Sequence, residues 1–133
     1  MEKLIEDFLA QKKFVVAGSF KDESKYAYKI LEILKNRGCE VYPVHPTIRE
    51  VDGRRCYKRV KDIPYPVDVA NLVTPPAVTE KILIECKEKG IKKIWLQPGA
   101  ESPAAIQFCN ENDMSLIYGA CLILESTQKK GDV

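Results

Sequence analysis

The stretch FVVAGS at residues 14–19 decides the fold, because it joins a continuous apolar run to a turn that contains glycine. An unbroken run of apolar side chains is typical of a strand that is covered on both faces of a parallel sheet. A helical pattern follows at residues 25–37, so the stretch predicts a strand, a turn and a helix in succession. The amides at the start of such a helix are unpaired and carry a partial positive charge, which favours a phosphate ligand.

Strands and helices alternate along the rest of the chain. The apolar runs predict strands at residues 13–17, 40–44, 67–73, 91–96 and 114–118. The helical patterns predict helices at residues 2–11, 25–37, 77–89 and 103–112, one helical turn at 58–63 and a short C-terminal helix. This alternation predicts an α/β, Rossmann-like, doubly wound fold with a mainly parallel sheet of about five strands and helices on both faces. Without a linker or an internal repeat, we expect a single domain over residues 1–133.

Local signals mark the ends of the predicted helices. Ser24 is expected to cap the second helix, and Gly38 is expected to end it. Ser102 predicts the cap of a later helix that has Pro103 at its first position. Gly90 is expected to end the helix at 77–89. In this helix, four apolar side chains are expected to face the core: Val78, Ile82, Leu83 and Cys86.

Composition excludes several classes of protein. The 133 residues carry a formal net charge of +2, and the cations are interspersed with carboxylates, so we expect no nucleic-acid partner. No apolar run approaches the length of a membrane span and no signal-peptide pattern opens the chain, so we expect a cytoplasmic protein with no membrane partner. The five cysteines form no CxxC pair, which predicts buried free thiols rather than a zinc site or disulfides.

Ligands of open parallel sheets bind at the carboxyl ends of the strands, so the residues just after each strand are the candidates for a site. In the first loop, the residues after Gly18 lack the further glycines of the dinucleotide fingerprint. The second strand also ends without the acidic residue that would accept a ribose hydroxyl of NAD. Both observations argue against a dinucleotide. His45 is the only histidine, and a turn position is favoured over a role as general base.

Taken together, the strand exits resemble the CoA-binding domain family, in particular its small stand-alone YccU-like proteins. The resemblance covers residues 14–125 and depends on VVAGS at 15–19, VYPVHP at 41–46, TPP at 74–76, WLQPGAES at 95–102 and GAC at 119–121. It implies a Rossmann-like fold that binds coenzyme A (CoA), similar to the nucleotide-binding domain of the succinyl-CoA synthetase α-subunit. The implied contacts are Gly18, Ser19 and Lys25 to the phosphates; Val44, His45 and Pro46 around the adenosine; Thr74, Pro75 and Pro76 along the pantetheine arm; and Gln97 and Gly99 at the neighbouring strand exit.

Two positions depart from the family pattern. His45 stands where the family usually has asparagine, and a histidine can still donate a hydrogen bond there. Ala27 stands where the family usually has glycine in the first turn of the helix, and its methyl group is expected to shift the ligand slightly.

Three functions fit these features. The first is a binding module for CoA or an acyl-CoA that has no chemistry of its own. The second is an enzyme, either an NAD(P)-dependent reductase or a thiol-active protein acting on CoA disulfides or thioesters, for which Cys56 and Cys121 are the candidate nucleophiles. The third is a regulatory domain or subunit that works as a homodimer or with a partner enzyme. No catalytic constellation is complete, and we do not expect the chain alone to act as an acyl-CoA synthetase.

Overall fold

Five parallel strands form the central sheet of the computed structural model, which describes residues 1–131 and side chains as far as residue 126. The strands of the described chain are β1 (Lys13–Ala17), β2 (Glu40–Val44), β3 (Glu50–Val51), β4 (Arg54–Arg55), β5 (Val69–Leu72), β6 (Lys93–Leu96) and β7 (Ser115–Ile117). The order in the sheet is β2-β1-β5-β6-β7, while β3 and β4 form a separate antiparallel hairpin. The chain therefore builds outwards from β1 to β2, then crosses back to β5 and continues in the other direction.

Helices cover both faces of this sheet. They are α1 (Glu2–Leu9), α2 (Tyr26–Asn36), α3 (Pro76–Lys89), α4 (Pro103–Glu111) and α5 (Leu122–Gly131), with a 3₁₀ helix at Val60–Asp62. Alternate β1 side chains enter different cores: Phe14 packs with α1 and α2, whereas Val15 packs with α3 and α4. Both side chains are fully buried, which explains the unbroken apolar run. The predicted doubly wound, Rossmann-like fold is confirmed, and no helix in the described part of the chain is long and apolar enough to cross a membrane.

Most of the predicted helix ends are confirmed. Gly38 and Gly90 follow α2 and α3 with left-handed backbones, and the Ser102 hydroxyl oxygen accepts a 3.0 Å hydrogen bond from the amide of Ala105. The prediction that Ser24 caps α2 is wrong, because Lys25 holds the cap position and the Ser24 hydroxyl bonds to Asp22. The predicted strand at 67–73 is shorter, since only residues 69–72 pair with both neighbours.

The predicted inward face of α3 is confirmed except at Val78. Leu83 and Cys86 are buried in the core as expected, but Val78 is 42% exposed and Ile82 is half-buried. Val78 instead lines a crevice with the loops beyond β2 and β5, whereas Ile82 packs against the core that holds Leu83, as expected.

The β3–β4 hairpin is fixed to the end of β2. Asp52 and Gly53 form its turn with positive φ angles, the backbone of a tight hairpin turn. Beyond the hairpin, the Tyr57 amide donates to the Pro43 carbonyl and the His45 amide donates to the Tyr57 carbonyl, each over 2.9 Å. These bonds place the segment after the hairpin beside the loop that leaves β2.

Candidate functional site

The chain reverses direction across the sheet at β1, which pairs with β2 on one side and β5 on the other. In an open α/β sheet, a reversal of this kind leaves a crevice at the carboxyl ends of the strands. Two backbone bonds close the base of the crevice: the Gly18 amide donates to the Val44 carbonyl over 3.4 Å, and the Val73 amide donates to the Ala17 carbonyl over 2.8 Å. The loops after the three strands therefore start side by side.

A cavity of about 390 Å³ occupies this crevice. Its lining includes seven of the eleven residues that the sequence resemblance implied: Gly18, Ser19, Val44, His45, Pro46, Thr74 and Pro75. The remaining lining residues are Ala17, Lys58, Val60, Val73, Val78, Ile82 and Glu85. The wall is thus largely apolar on the side of α3, with polar groups on the loops, as is usual for cofactor sites.

Gly18 is required at the base of the cavity because the chain passes too closely for a side chain. A Cβ atom at this position would lie 2.8 Å from the Ala27 Cβ and 2.8 Å from the Val73 carbonyl oxygen. The backbone of Gly18 is not left-handed, so close packing rather than an unusual φ angle explains the glycine. The Ala27 methyl group fills the space next to Gly18 and is buried, and its expected effect on a ligand stays a prediction.

The amino-terminal end of α2 is open. No side chain caps this end, and the amides of Tyr26, Ala27 and Tyr28 find no acceptor among the described residues. The Ser24 hydroxyl is unavailable as a cap because it bonds to the Asp22 carboxylate, which also accepts the Ser24 amide over 2.9 Å. These hydrogen bonds from Ser24 lower the pKa of Asp22. The open amides are the kind of group that binds a phosphate when a ligand lies beside them.

His45 forms the turn that leaves β2. Its Nδ1 atom accepts hydrogen bonds from the amides of Thr47, over 3.1 Å, and Ile48, over 3.3 Å. In neutral histidine the ring proton is therefore on Nε2, which is a donor. The half-buried His45 residue lines the cavity.

The loop after β5 is held by a pair of threonines. The hydroxyl oxygens of Thr74 and Thr79 lie 2.6 Å apart, and Thr79 is fully buried in α3. Pro75 occupies the position before α3, and Pro76 is the first residue of the helix. Proline is well suited to that position, because the first backbone amide of a helix has no acceptor within the helix. Thr74 and Pro75 therefore present a rigid edge to the cavity.

Four of the implied residues lie outside the cavity lining: Lys25, Pro76, Gln97 and Gly99. Lys25 and Pro76 are exposed at the starts of α2 and α3. Gln97 is fully buried; its Nε2 donates to Asn71 over 2.7 Å, and its Oε1 accepts the Leu122 amide over 3.0 Å. Its side chain thus joins β5, β6 and the start of α5. Gly99 lies in an exposed turn with a φ of +97°.

Comparison with known proteins agrees with this architecture. The CoA binding domain family matches residues 12–127. The chain belongs to this family. The α-subunit of ADP-forming acetate–CoA ligase II from Pyrococcus furiosus is 38% identical over 92 residues, which cover 68% of the chain and 20% of the subunit. The chain therefore spans about a fifth of that relative's length.

Two relatives of similar size have names that state no activity. The uncharacterised protein YneT of Bacillus subtilis is 24% identical over 111 residues, covering 84% of this chain and 82% of YneT. A hypothetical protein from Pyrococcus horikoshii has the same fold, with a TM-score of 0.91 and 28% identity over 96% of this chain and 91% of that one.

A second cavity of about 700 Å³ adjoins the first in this CoA-binding domain. His45, Pro46 and Lys58 line both cavities, so the two are neighbours on either side of the loop that leaves β2. The other lining residues come from that loop, the hairpin and the 3₁₀ helix: Thr47, Ile48, Arg49, Arg55, Cys56, Tyr57 and Asp62. Unlike the first cavity, this one is lined by several cations.

The cysteines of the domain are free and buried, as the sequence predicts. Cys56 lines the second cavity, but burial raises the pKa of its thiol to about 11. A thiol of that pKa is protonated at neutral pH and is a poor nucleophile. Cys121 is buried at the start of α5 and lines neither cavity. The residues that the structure describes hold no cluster of metal-ligating side chains.

Sequence reasoning missed the far wall of the first cavity. Val78, Ile82 and Glu85 lie three to four residues apart on one face of α3, a spacing that marks a shared face. The sequence shows this spacing, but an apolar face on a helix indicates packing against the core unless the element opposite that face is known. Here that element is the 3₁₀ helix, whose Val60 amide donates to Glu85 over 2.9 Å.

Proposed function

We propose that this chain binds CoA or an acyl-CoA at the carboxyl edge of its parallel sheet, as a stand-alone binding or regulatory module. One observation carries the proposal: a single cavity gathers seven residues from three separate strand exits that resemble the family's ligand loops. Membership of the CoA binding domain family supports the same ligand.

Each part of CoA has a matching part of the site. Ala27, in the open first turn of α2, lies against Gly18, so the open amides of this helix suit the pyrophosphate. The apolar wall of Val60, Val78 and Ile82 suits the flat adenine ring, and His45, whose Nε2 is a donor, lines the same cavity. The rigid Thr74–Pro75 edge suits the extended pantetheine arm.

Binding is favoured over catalysis because Cys56, the cysteine that lines a cavity, has a raised thiol pKa. The ADP-forming ligases among the relatives are much longer, so their activity is not proposed for this chain. The single-domain boundary, the cytoplasmic location and a homodimer or partner enzyme stay predictions.

Isothermal titration with CoA, acetyl-CoA, NAD and NADP tests the proposal. We expect saturable binding of CoA or acetyl-CoA that is clearly tighter than binding of either dinucleotide. A CoA affinity no better than that for NAD or NADP would contradict it.

A matched pair of variants locates the binding. Val78 and Ile84 are both exposed on α3, at 42% and 50%, but only Val78 lines the cavity. Val78→Glu places a carboxylate in the apolar wall proposed for the adenine ring and is expected to weaken CoA binding, whereas Ile84→Glu is expected to leave it unchanged. Equal effects of the two variants would place the ligand elsewhere.

A further inference from the structure

The second cavity is a basic pocket, defined here by Arg49, Arg55 and Lys58. No ion pair neutralises any of the three among the residues that the structure describes. Asp62 is the one carboxylate in the lining, so the described lining side chains have a surplus of positive charge. An unpaired group of cations in a concave site favours an anionic ligand.

Arg55 is held in place for such a ligand. Its guanidinium carbon lies 5.1 Å from the centre of the Tyr57 ring, within the range of a cation–π contact. Tyr57 is itself buried and is fixed by its backbone bonds to Pro43 and His45. Stacking over a ring leaves the N–H groups at the guanidinium edge free, and these match the geometry of phosphate oxygens.

We propose that the basic pocket binds a phosphomonoester, namely the 3′-phosphate on the ribose of CoA. This inference rests on the proposed function, since it needs the adenosine to lie in the first cavity. His45, Pro46 and Lys58 form the boundary between the two cavities, so a ribose beside this loop lies next to the pocket.

The basic pocket suits the monoester better than the pyrophosphate. Gly18 and Ser19, the loop beside the open α2 amides, line the first cavity and are absent from the lining of the basic pocket. A monoester carries a charge of about −1.5 to −2 at neutral pH, which the pocket's three cations can match. The 3′-phosphate is also the one group that distinguishes CoA from dephospho-CoA, so this pocket would set the specificity of the site.

The test compares CoA with dephospho-CoA by isothermal titration, using the wild-type chain, Arg55→Gln and Arg54→Gln. Arg54 is the neighbouring residue on β4, and it lines neither cavity, so its replacement makes the same charge change outside the pocket. We expect wild type to bind CoA at least about tenfold more tightly than dephospho-CoA, as fits the loss of charge-assisted hydrogen bonds. Arg55→Gln should remove most of that preference and leave dephospho-CoA binding almost unchanged, whereas Arg54→Gln should retain the preference.

Each outcome separates this inference from the proposed function. If wild type binds CoA and dephospho-CoA equally well, the inference is wrong and the proposed function stands. If neither compound binds, both fail. If Arg54→Gln and Arg55→Gln reduce the preference for CoA over dephospho-CoA equally, the preference comes from the overall charge of the chain, and the proposal that the basic pocket binds the 3′-phosphate is wrong.

A competition experiment distinguishes the source of the phosphate. Adenosine 3′,5′-bisphosphate should displace CoA more effectively than AMP, because the two compounds differ only in the 3′-phosphate. If inorganic phosphate at the same concentration competes equally well, the pocket is a general anion site and the proposal is wrong.

Discussion

Replacing Gly18 by alanine probes the close approach on which the cavity depends. The added Cβ would lie 2.8 Å from both the Ala27 Cβ and the Val73 carbonyl oxygen. Neither neighbour is the end of a flexible side chain, so relief requires a movement of α2 or of the chain leaving β5. Because the backbone of Gly18 is not left-handed, the cost comes from contacts alone.

Overpacking of this kind costs about 1–3 kcal/mol. For a chain of this length, each kcal/mol lost from the free energy of unfolding lowers the melting temperature by about 3–5 °C. We therefore expect Gly18→Ala to melt roughly 3–15 °C below wild type. CoA affinity should fall as well, since the movement displaces either the open end of α2 or the wall of the cavity.

A double-mutant cycle with Ala27→Gly isolates one of the two contacts. Ala27→Gly alone should cost about 1 kcal/mol, because glycine is a poor helix former. In the Gly18→Ala background the same change removes the clash with the Ala27 methyl group. The double variant should therefore be more stable than the sum of the single effects by at least about 0.5 kcal/mol.

Urea unfolding followed by circular dichroism gives the stabilities, and isothermal titration gives the affinities. A Gly18→Ala variant that is as stable as wild type and binds CoA equally well would show that Gly18 is not needed for close packing at the base of the cavity. If the two single effects on stability are strictly additive, the Ala27 methyl group makes no unfavourable contact with the new Cβ atom.

Three further predictions concern other parts of the chain. Ser102→Ala should lower the free energy of unfolding by about 1 kcal/mol in urea titrations, because it removes the cap of α4, and an unchanged stability would contradict that role. His45→Asn should retain CoA affinity, because an asparagine side chain can also accept the amides of Thr47 and Ile48, whereas His45→Ala should weaken binding in the same titration by about 1 kcal/mol. Iodoacetamide labelling of Cys56, followed by mass spectrometry, should be slow at pH 7.5 and rise towards pH 11, since burial raises the pKa of the thiol to about 11; rapid labelling at neutral pH would revive the thiol-active alternative.

The sequence predicts the fold well because the relevant signals are local. The apolar run of β1 requires cover on both faces, and Gly38, Gly90 and Ser102 mark helix ends through their own backbone or side-chain geometry. Ser24 is the exception, because Asp22 competes for its hydroxyl within the same turn, and the sequence does not reveal which bond forms.

The site is only partly predictable from sequence. Strand exits such as Gly18 and Thr74 can be located, because parallel strands bring their carboxyl ends to one edge. The far wall and the basic pocket depend on how the segment after the hairpin docks on α3 and β2. That docking depends on hydrogen bonds between residues distant in sequence, such as those from the Val60 amide to Glu85 and from the Tyr57 amide to Pro43. Such bonds produce no recognisable pattern in the local sequence.

Titration of the isotopically labelled chain with CoA, followed by amide chemical shifts, locates the ligand residue by residue. We expect saturable shifts concentrated at residues 18–19, 44–46 and 73–75, which border the cavity, and at the open end of α2. Shifts centred on β7 and α4 at the opposite side of the sheet, or none at millimolar CoA, would contradict the proposal that this edge is the CoA site.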